Sequence, residues 1–156
     1  MLKFALLTLC AGSALAQAVP PSQTLEAASL KNKGVELLTK ARNVPAGLAS
    51  EVLLKRPESS IQMAVRVKSG QGEWHHDDAD ILIGVEGSAQ IVTGGEIVNG
   101  KETAPGEIRG DSVKGGTTQT FKAGDYIRIE PQVAHQVLLA PGSTFRYMAV
   151  KVRAAQ

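Results

Sequence analysis

Three histidines occur in the chain, and all of them fall in two short stretches. The first is Glu73-Trp74-His75-His76-Asp77-Asp78-Ala79-Asp80, which runs directly into the apolar Ile81-Leu82-Ile83-Gly84-Val85-Glu86-Gly87. The second is Gly124-Asp125-Tyr126-Ile127-Arg128-Ile129-Glu130-Pro131-Gln132-Val133-Ala134-His135. In an extended strand, residues two apart share a face. Glu73 and His75 therefore project together, while Trp74 and His76 point away. Adjacent aspartates favour a turn by bonding their own backbone, so His76 to Ala79 reads as a tight reversal after which Asp80 faces back. That gathers a carboxylate, an imidazole and a second carboxylate, with His135 available from a distant strand. Oxygen and imidazole donors with open positions suit Fe(II), Mn(II), Zn, Ni or Cu. A second register, with His76 as the ligand and Trp74 as its neighbour, is chemically poorer because Trp cannot ligate.

The elements that must position these residues are strands. Ile61, Met63, Val65 and Val67 alternate with Gln62, Ala64, Arg66 and Lys68, the period of a half-buried strand. Val52-Leu53-Leu54 precedes it as a short strand ended by Pro57, and Ser69 to Gly72 is a turn feeding the Glu73 strand. Asp80, Leu82 and Gly84 share one face and Ile81, Ile83 and Val85 the other, so this strand is expected to be covered on both sides. The outer cover could be a sheet edge, an N-terminal helix or a second subunit. Further strands are expected over 88–93, 117–122, 126–130, 137–139 and 144–152, with Pro141-Gly142 as the last turn. Many short strands with regular turn signals argue for a sandwich or barrel.

The two histidine stretches resemble the paired motifs of the cupin superfamily, His-x-His…Glu…Gly and Gly…Pro-x-Gly-x-x-His. Gly87 falls at the closing glycine of the first, Asp80 at its glutamate, His75 at its second histidine and Glu73 at its first. Gly124 and His135 match the second, while Pro131 lies one place late and Gln132 replaces the glycine. The resemblance spans roughly residues 60–153. It implies an all-β fold, the double-stranded β-helix or jelly-roll barrel, preceded by a short helical segment. It also implies a divalent transition metal held by Glu73, His75, Asp80 and His135, with Glu73 or His135 moving a proton. Two of the usual ligand types have changed, at Glu73 and Asp80, and some cupins carry no metal.

Residues 1–16 carry Lys3, an apolar run and Ala14-Leu15-Ala16, the pattern of a secretory signal peptide. The run is shorter than the roughly 20 apolar residues a membrane helix requires. Leu9 before Cys10 does not suit lipidation. A secreted or periplasmic protein is expected, and its only cysteine would leave with the leader, which removes disulfides, thiol nucleophiles and thiolate metal sites from consideration. Removing Lys3 takes one basic residue from 17, against 15 acidic ones. That balance gives no electrostatic reason to expect nucleic acid or a membrane surface as a partner.

Residues 17–49 form an expected helical arm, with Leu25, Ala28, Val35, Leu37, Leu38 and Ala41 on its apolar side and an interruption at Asn32-Lys33-Gly34. Residues 50–156 form the barrel domain. The glycine-rich segment 94–116 contains Asn99-Gly100, a hairpin signal, and reads most simply as a solvated hairpin on the rim. The sharper alternative is a lid that carries Glu107 or Arg109 to a ligand. Tyr126 and Arg128 alternate in a way that leaves open which face looks inward, and Trp74 reads as an outer packing residue.

Three functional classes follow. The first is a metal-dependent enzyme of dioxygenase, isomerase or lyase type, acting on a small organic molecule in the barrel. The second is a non-catalytic small-ligand binder, and the third a structural protein. Aromatic residues make up only 4% of the chain, which argues against a sugar-stacking site. The doubly apolar strand 81–85 makes a homodimer the expected assembly.

Overall fold

The computed structural model describes residues 22–154; the expected leader at 1–16 lies outside them. One helix, α1 (Ala27–Arg42), precedes twelve strands. These are β1 (Leu48–Lys55), β2 (Ser59–Arg66), β3 (Gly72–His75), β4 (Asp78–Thr93), β5 (Glu96–Val98) and β6 (Lys101–Ala104), followed by β7 (Glu107–Gly110), β8 (Ser112–Lys114), β9 (Thr117–Lys122), β10 (Tyr126–Ile129), β11 (His135–Leu138) and β12 (Phe145–Arg153). Within 22–154 no helix is long and apolar enough to cross a membrane.

The long strand β4 belongs to both halves of the curled sheet. Its first part pairs antiparallel with β12 and β10, and its second part with β9 and β11. On one side β1, β2 and β12 extend the sheet; on the other β11 leads to β3, β7 and β6. A register shift at Arg146/Tyr147, opposite Glu86 and Gly84, marks where β12 accommodates an extra residue of β4. Gly87 follows at φ +81°, where an added Cβ would stand 2.2 Å from the Thr144 carbonyl. Only glycine fits there, a physical reason for the glycine that closes the first motif.

Two apolar clusters hold the fold. Inside the barrel, Phe145 stacks on Tyr147 at 5.3 Å and meets Phe121 edge-on at 5.6 Å, packed with Leu82, Ile91, Ile129 and Val137. Outside it, Leu37 and Ala41 of α1 cover Met63 and Val65 of β2. This explains why β2 is buried on both faces rather than half-buried: Met63 and Val65 lie under the helix, Ala64 and Arg66 in the interior.

Three local expectations are corrected. The helix runs through Asn32-Lys33-Gly34 without a break. Gly34 costs about 1 kcal/mol of helix propensity, but an added Cβ there would stand 2.4 Å from the Arg146 guanidinium carbon, so the glycine makes room for that side chain. Val35 and Ala28 are exposed; the buried stripe is Gly34, Leu37 and Ala41, with Leu30 and Leu38 at its edge. Among the described residues nothing covers the outer face of β4: α1 packs on β1 and β2, not there, and leaves Ile83 39% and Val85 42% exposed, so of the three covers expected the N-terminal helix is ruled out.

Segment 94–116 is a folded excursion of two nested strand pairs. β5 pairs with β8 and β6 with β7, while β7 also continues the main sheet by pairing with β3. A hairpin standing free on the rim is thus not what forms.

Candidate functional site

Glu73 and His75 leave β3 two residues apart, on its inward face. The turn after them does not make a hairpin of β3 and β4. It crosses from the β3 side of the barrel to the β12 side, because β3 pairs with β7 and β11 while Asp80 pairs across to Lys151 of β12. Asp80 therefore meets His75 across the interior. His135 stands directly opposite Glu73 at the start of β11. Gln132 presents it: this residue holds φ +63°, the left-handed region in which the glycine of the motif would sit, and its N–H donates to the His75 carbonyl at 2.7 Å.

Three of the four predicted ligands, Glu73, His75 and His135, converge, and Asp80 lies beside the two histidines. Donor atoms of Glu73, His75 and His135 lie within 4.8 Å of one another. Oδ2 of Asp80 lies 3.2 Å from Nε2 of His75 and 3.4 Å from Nε2 of His135. His75 and His135 are 2% and 4% exposed. His76 points outward instead, pairs with Asp77 at 2.6 Å and edges onto Trp74, so the register with His75 inward holds and Trp74 is an outer residue. Tyr126 is 76% exposed and Arg128 pairs with Glu130 on the surface; neither lines the interior, where Ile127 and Ile129 pack instead.

The far sides of both imidazoles are fixed. Nδ1 of His75 lies 2.7 Å from the Glu107 carboxylate, an acceptor only, so this nitrogen carries the hydrogen and donates. Nδ1 of His135 donates to the Val133 carbonyl at 3.0 Å. Both Nε2 atoms are thereby turned to the centre, the arrangement in which carboxylate or carbonyl partners hold metal-ligating histidines. The excursion 94–116 thus reaches the site after all, through Glu107 and through Arg109. Nη2 of Arg109 lies 3.0 Å from Glu107 and 3.5 Å from Glu73.

Two cations that no motif marks as site residues, Arg66 and Lys151, complete the cluster. Arg66, 4% exposed, donates to Glu73 at 3.1 Å and to the Tyr147 hydroxyl at 3.1 Å. Nζ of Lys151 lies 3.0 Å from Oδ1 of Asp80 and 2.9 Å from Nε2 of His75. Each had a signal in the alternation of its strand. Arg66 follows the inward Ala64, and Lys151 follows the inward Tyr147 and Ala149, so each places a charge on an otherwise apolar inward face.

The electrostatics follow from these contacts. Burial works against the Asp80 carboxylate, but its close contacts with His135 and His75 and the charge of Lys151 outweigh it and hold Asp80 well below the usual carboxylate range. Burial lowers the pKa of His135, yet Asp80, the Val133 carbonyl and Glu73 raise it to a net increase. Burial raises that of Tyr147 against the opposing charge of Arg66.

The donor set fits a divalent ion. Two imidazole nitrogens and a carboxylate converge, their remaining atoms are satisfied behind them, and the buried Oδ1 of Asp80 has an ion-pair contact but no well-angled hydrogen bond. A cavity of about 630 Å³ opens onto this cluster, with Arg66, Glu73, Asp80, Arg109 and Lys151 at its charged end and Leu48, Leu82 and Val137 along its apolar wall. Gln136 braces the rim by accepting from the Val113 N–H at 3.0 Å and donating to the Gly70 carbonyl at 2.7 Å.

No family model and no curated protein matches the chain. Solved structures do. A double-stranded β-helix protein of Klebsiella pneumoniae, uncharacterised, superposes with a TM-score of 0.50 at 16% identity, over 68% of this chain and 76% of that one. The cupin domain of Schizosaccharomyces pombe Cnp3 gives 0.51 at 9% identity, over 69% and 65%. The SPY1581 protein of Streptococcus pyogenes, of unknown function, gives 0.51 at 14% identity, over 72% and 80%. Likeness at such identity speaks for the fold, and with the topology above it defines the chain as a cupin-fold protein. It holds a His/Glu cluster that can bind a metal ion.

Proposed function

We propose that this is an exported metal-binding cupin that acts on a small organic molecule held in the barrel cavity. The observation that carries the reading is the convergence of Glu73, His75 and His135 within 4.8 Å, with both Nδ1 hydrogens committed elsewhere. Asp80, beside both Nε2 atoms, is the fourth donor. The ion is a divalent transition metal, one of Fe, Mn, Ni, Zn or Cu, because the donors are nitrogen and oxygen with no sulfur. When bound, such an ion supplies a Lewis acid for a ligand oxygen.

The chain's own residues do the rest. Glu107 and the Val133 carbonyl orient the imidazoles, and the apolar wall of Leu48, Leu82 and Val137 sheds water from the ligand. Glu73, at the cavity surface, is the group placed to move a proton in a dioxygenase, isomerase or lyase reaction, since both nitrogens of His135 are committed to the ion and to the Val133 carbonyl. Arg66 and Arg109 hold Glu73 in place from its two oxygens. Export rests on the leader pattern of residues 1–16. The uncovered row of Ile83, Val85 and Tyr126 supports a homodimer; a monomeric mass in solution would remove it.

Elemental mass spectrometry after reconstitution tests the metal. One ion per chain is expected in the wild type and in His76→Ala, and none in His75→Ala or His135→Ala. A wild-type protein that takes up no ion overturns the metal reading and leaves the cavity as a plain ligand-binding site.

A further inference from the structure

Lys151 stands where a bound metal would be felt first. The register of β12 on β4 sets it directly opposite Asp80, on the same inward face, and its ammonium reaches both Asp80 and His75. An ammonium has donors only, so with Nδ1 of His75 donating to Glu107 the 2.9 Å contact engages the Nε2 lone pair. That is also the only lone pair His75 has left. The Asp80 carboxylate, 3.2 Å from the same atom, is held by Lys151 rather than by His75. A transition metal on the same atom would lie about 2.0–2.1 Å from it. One lone pair cannot serve both cations, and two positive centres packed that closely repel strongly away from bulk water. The Lys151 side chain is 24% exposed towards the cavity, so it has a way out.

We infer that Lys151 is a built-in competitor for the metal: its ammonium holds the donor cluster together when no ion is bound and must leave His75 for one to enter. This rests on the metal reading of the same cluster. It accounts for a buried carboxylate, two histidines and a glutamate lying together without mutual repulsion, because Lys151 and Arg66 balance Asp80 and Glu73. It also assigns Lys151 a positioning and selectivity role. The ion that enters must out-compete an internal ammonium, which favours metals that bind imidazole tightly over those that prefer oxygen.

The test is titration calorimetry with Mn(II) and with Zn(II) on the wild type, Lys151→Met, Lys151→Arg and His135→Ala, each shown by thermal melting to be folded. Lys151→Gln, whose amide keeps a donor for Asp80, replaces the Met variant if that does not fold. Loss of the charge is expected to tighten metal binding by about tenfold or more, while Lys151→Arg stays near the wild type. Equal affinity in wild type and Lys151→Met, abolished in His135→Ala, overturns the competition and leaves the metal site standing. Binding by the wild type that is lost in Lys151→Met and Lys151→Gln overturns the competition, and absence of binding in the wild type and in these variants alike overturns both.

Discussion

The barrel interior has two ends built on opposite principles. At one, Phe121, Phe145, Tyr147 and Ile91 pack ring on ring and aliphatic on ring. At the other, Arg66, Glu73, His75, Asp80, His135 and Lys151 bury charge against charge. The same strands supply both: β12 contributes Phe145 and Tyr147 to the first and Lys151 to the second, and β4 contributes Ile91 and Asp80. The apolar end gains from every group removed from water. The charged end pays desolvation for each group and recovers it only while every partner is present. Stability therefore resides mainly in the first and chemistry in the second, and the two should respond differently to substitution.

The largest effect is expected at the apolar end. Phe145 is fully buried between two other rings, and Phe145→Ala should cost about 4 kcal/mol in chemical denaturation. A loss under about 1 kcal/mol would show that the rings do not carry the core. At the charged end, Asp80→Ala leaves the Lys151 ammonium without its carboxylate partner beside the two imidazoles and should cost about 3 kcal/mol. The contrast is sharpened by a cycle: with Lys151→Met also in place, the combined loss should fall short of the sum of the two single losses, because each removes the same contact. Additive losses would mean that the charged end is not one coupled unit.

Smaller effects probe how the site is presented. Gln132 sits at positive φ, a backbone region that disfavours any residue with a Cβ, and its side chain is exposed. Gln132→Gly should stabilise the protein by about 0.5 kcal/mol, the relief of strain being partly offset by glycine's greater freedom when unfolded. A destabilised variant would show that the side chain makes a contact worth more than the strain.

The smallest effect lies farthest from the site. Hydrogen bonds from Lys33 and Lys40 hold the Glu36 carboxyl at a pKa of about 2, below its ordinary 4.5. A depressed folded pKa adds stability that is present above the ordinary value and is lost as pH falls through the folded one. Melting temperature at low salt should therefore drop more between pH 4.5 and 2 in the wild type than in Glu36→Gln. Parallel profiles would show that the helix pairs contribute nothing, as is common for exposed ion pairs.

The same division explains what could be read from the chain. Alternation located β2, β4 and β12, and the two histidine stretches located Glu73, His75, Asp80 and His135, because strand period and turn chemistry are local. Arg66, Lys151 and the pair Glu107 and Arg109 come from three separate strands, and their meeting depends on pairings that the local pattern does not encode. The order in which β7 docks on β3 brings Glu107 to His75, and nothing within 94–116 announces that partner. Gly34 reads as a helix break for a related reason: the Arg146 side chain that lies against it comes from far along the chain.

The central claim is that the Glu73, His75 and His135 cluster binds a metal ion. Crystals grown with Zn(II) and measured for anomalous scattering test it most directly. One strong peak per chain is predicted within coordination distance of Nε2 of both His75 and His135, with the Lys151 ammonium withdrawn from His75. A cluster free of anomalous density, with Lys151 still on His75 at saturating Zn(II), would contradict it.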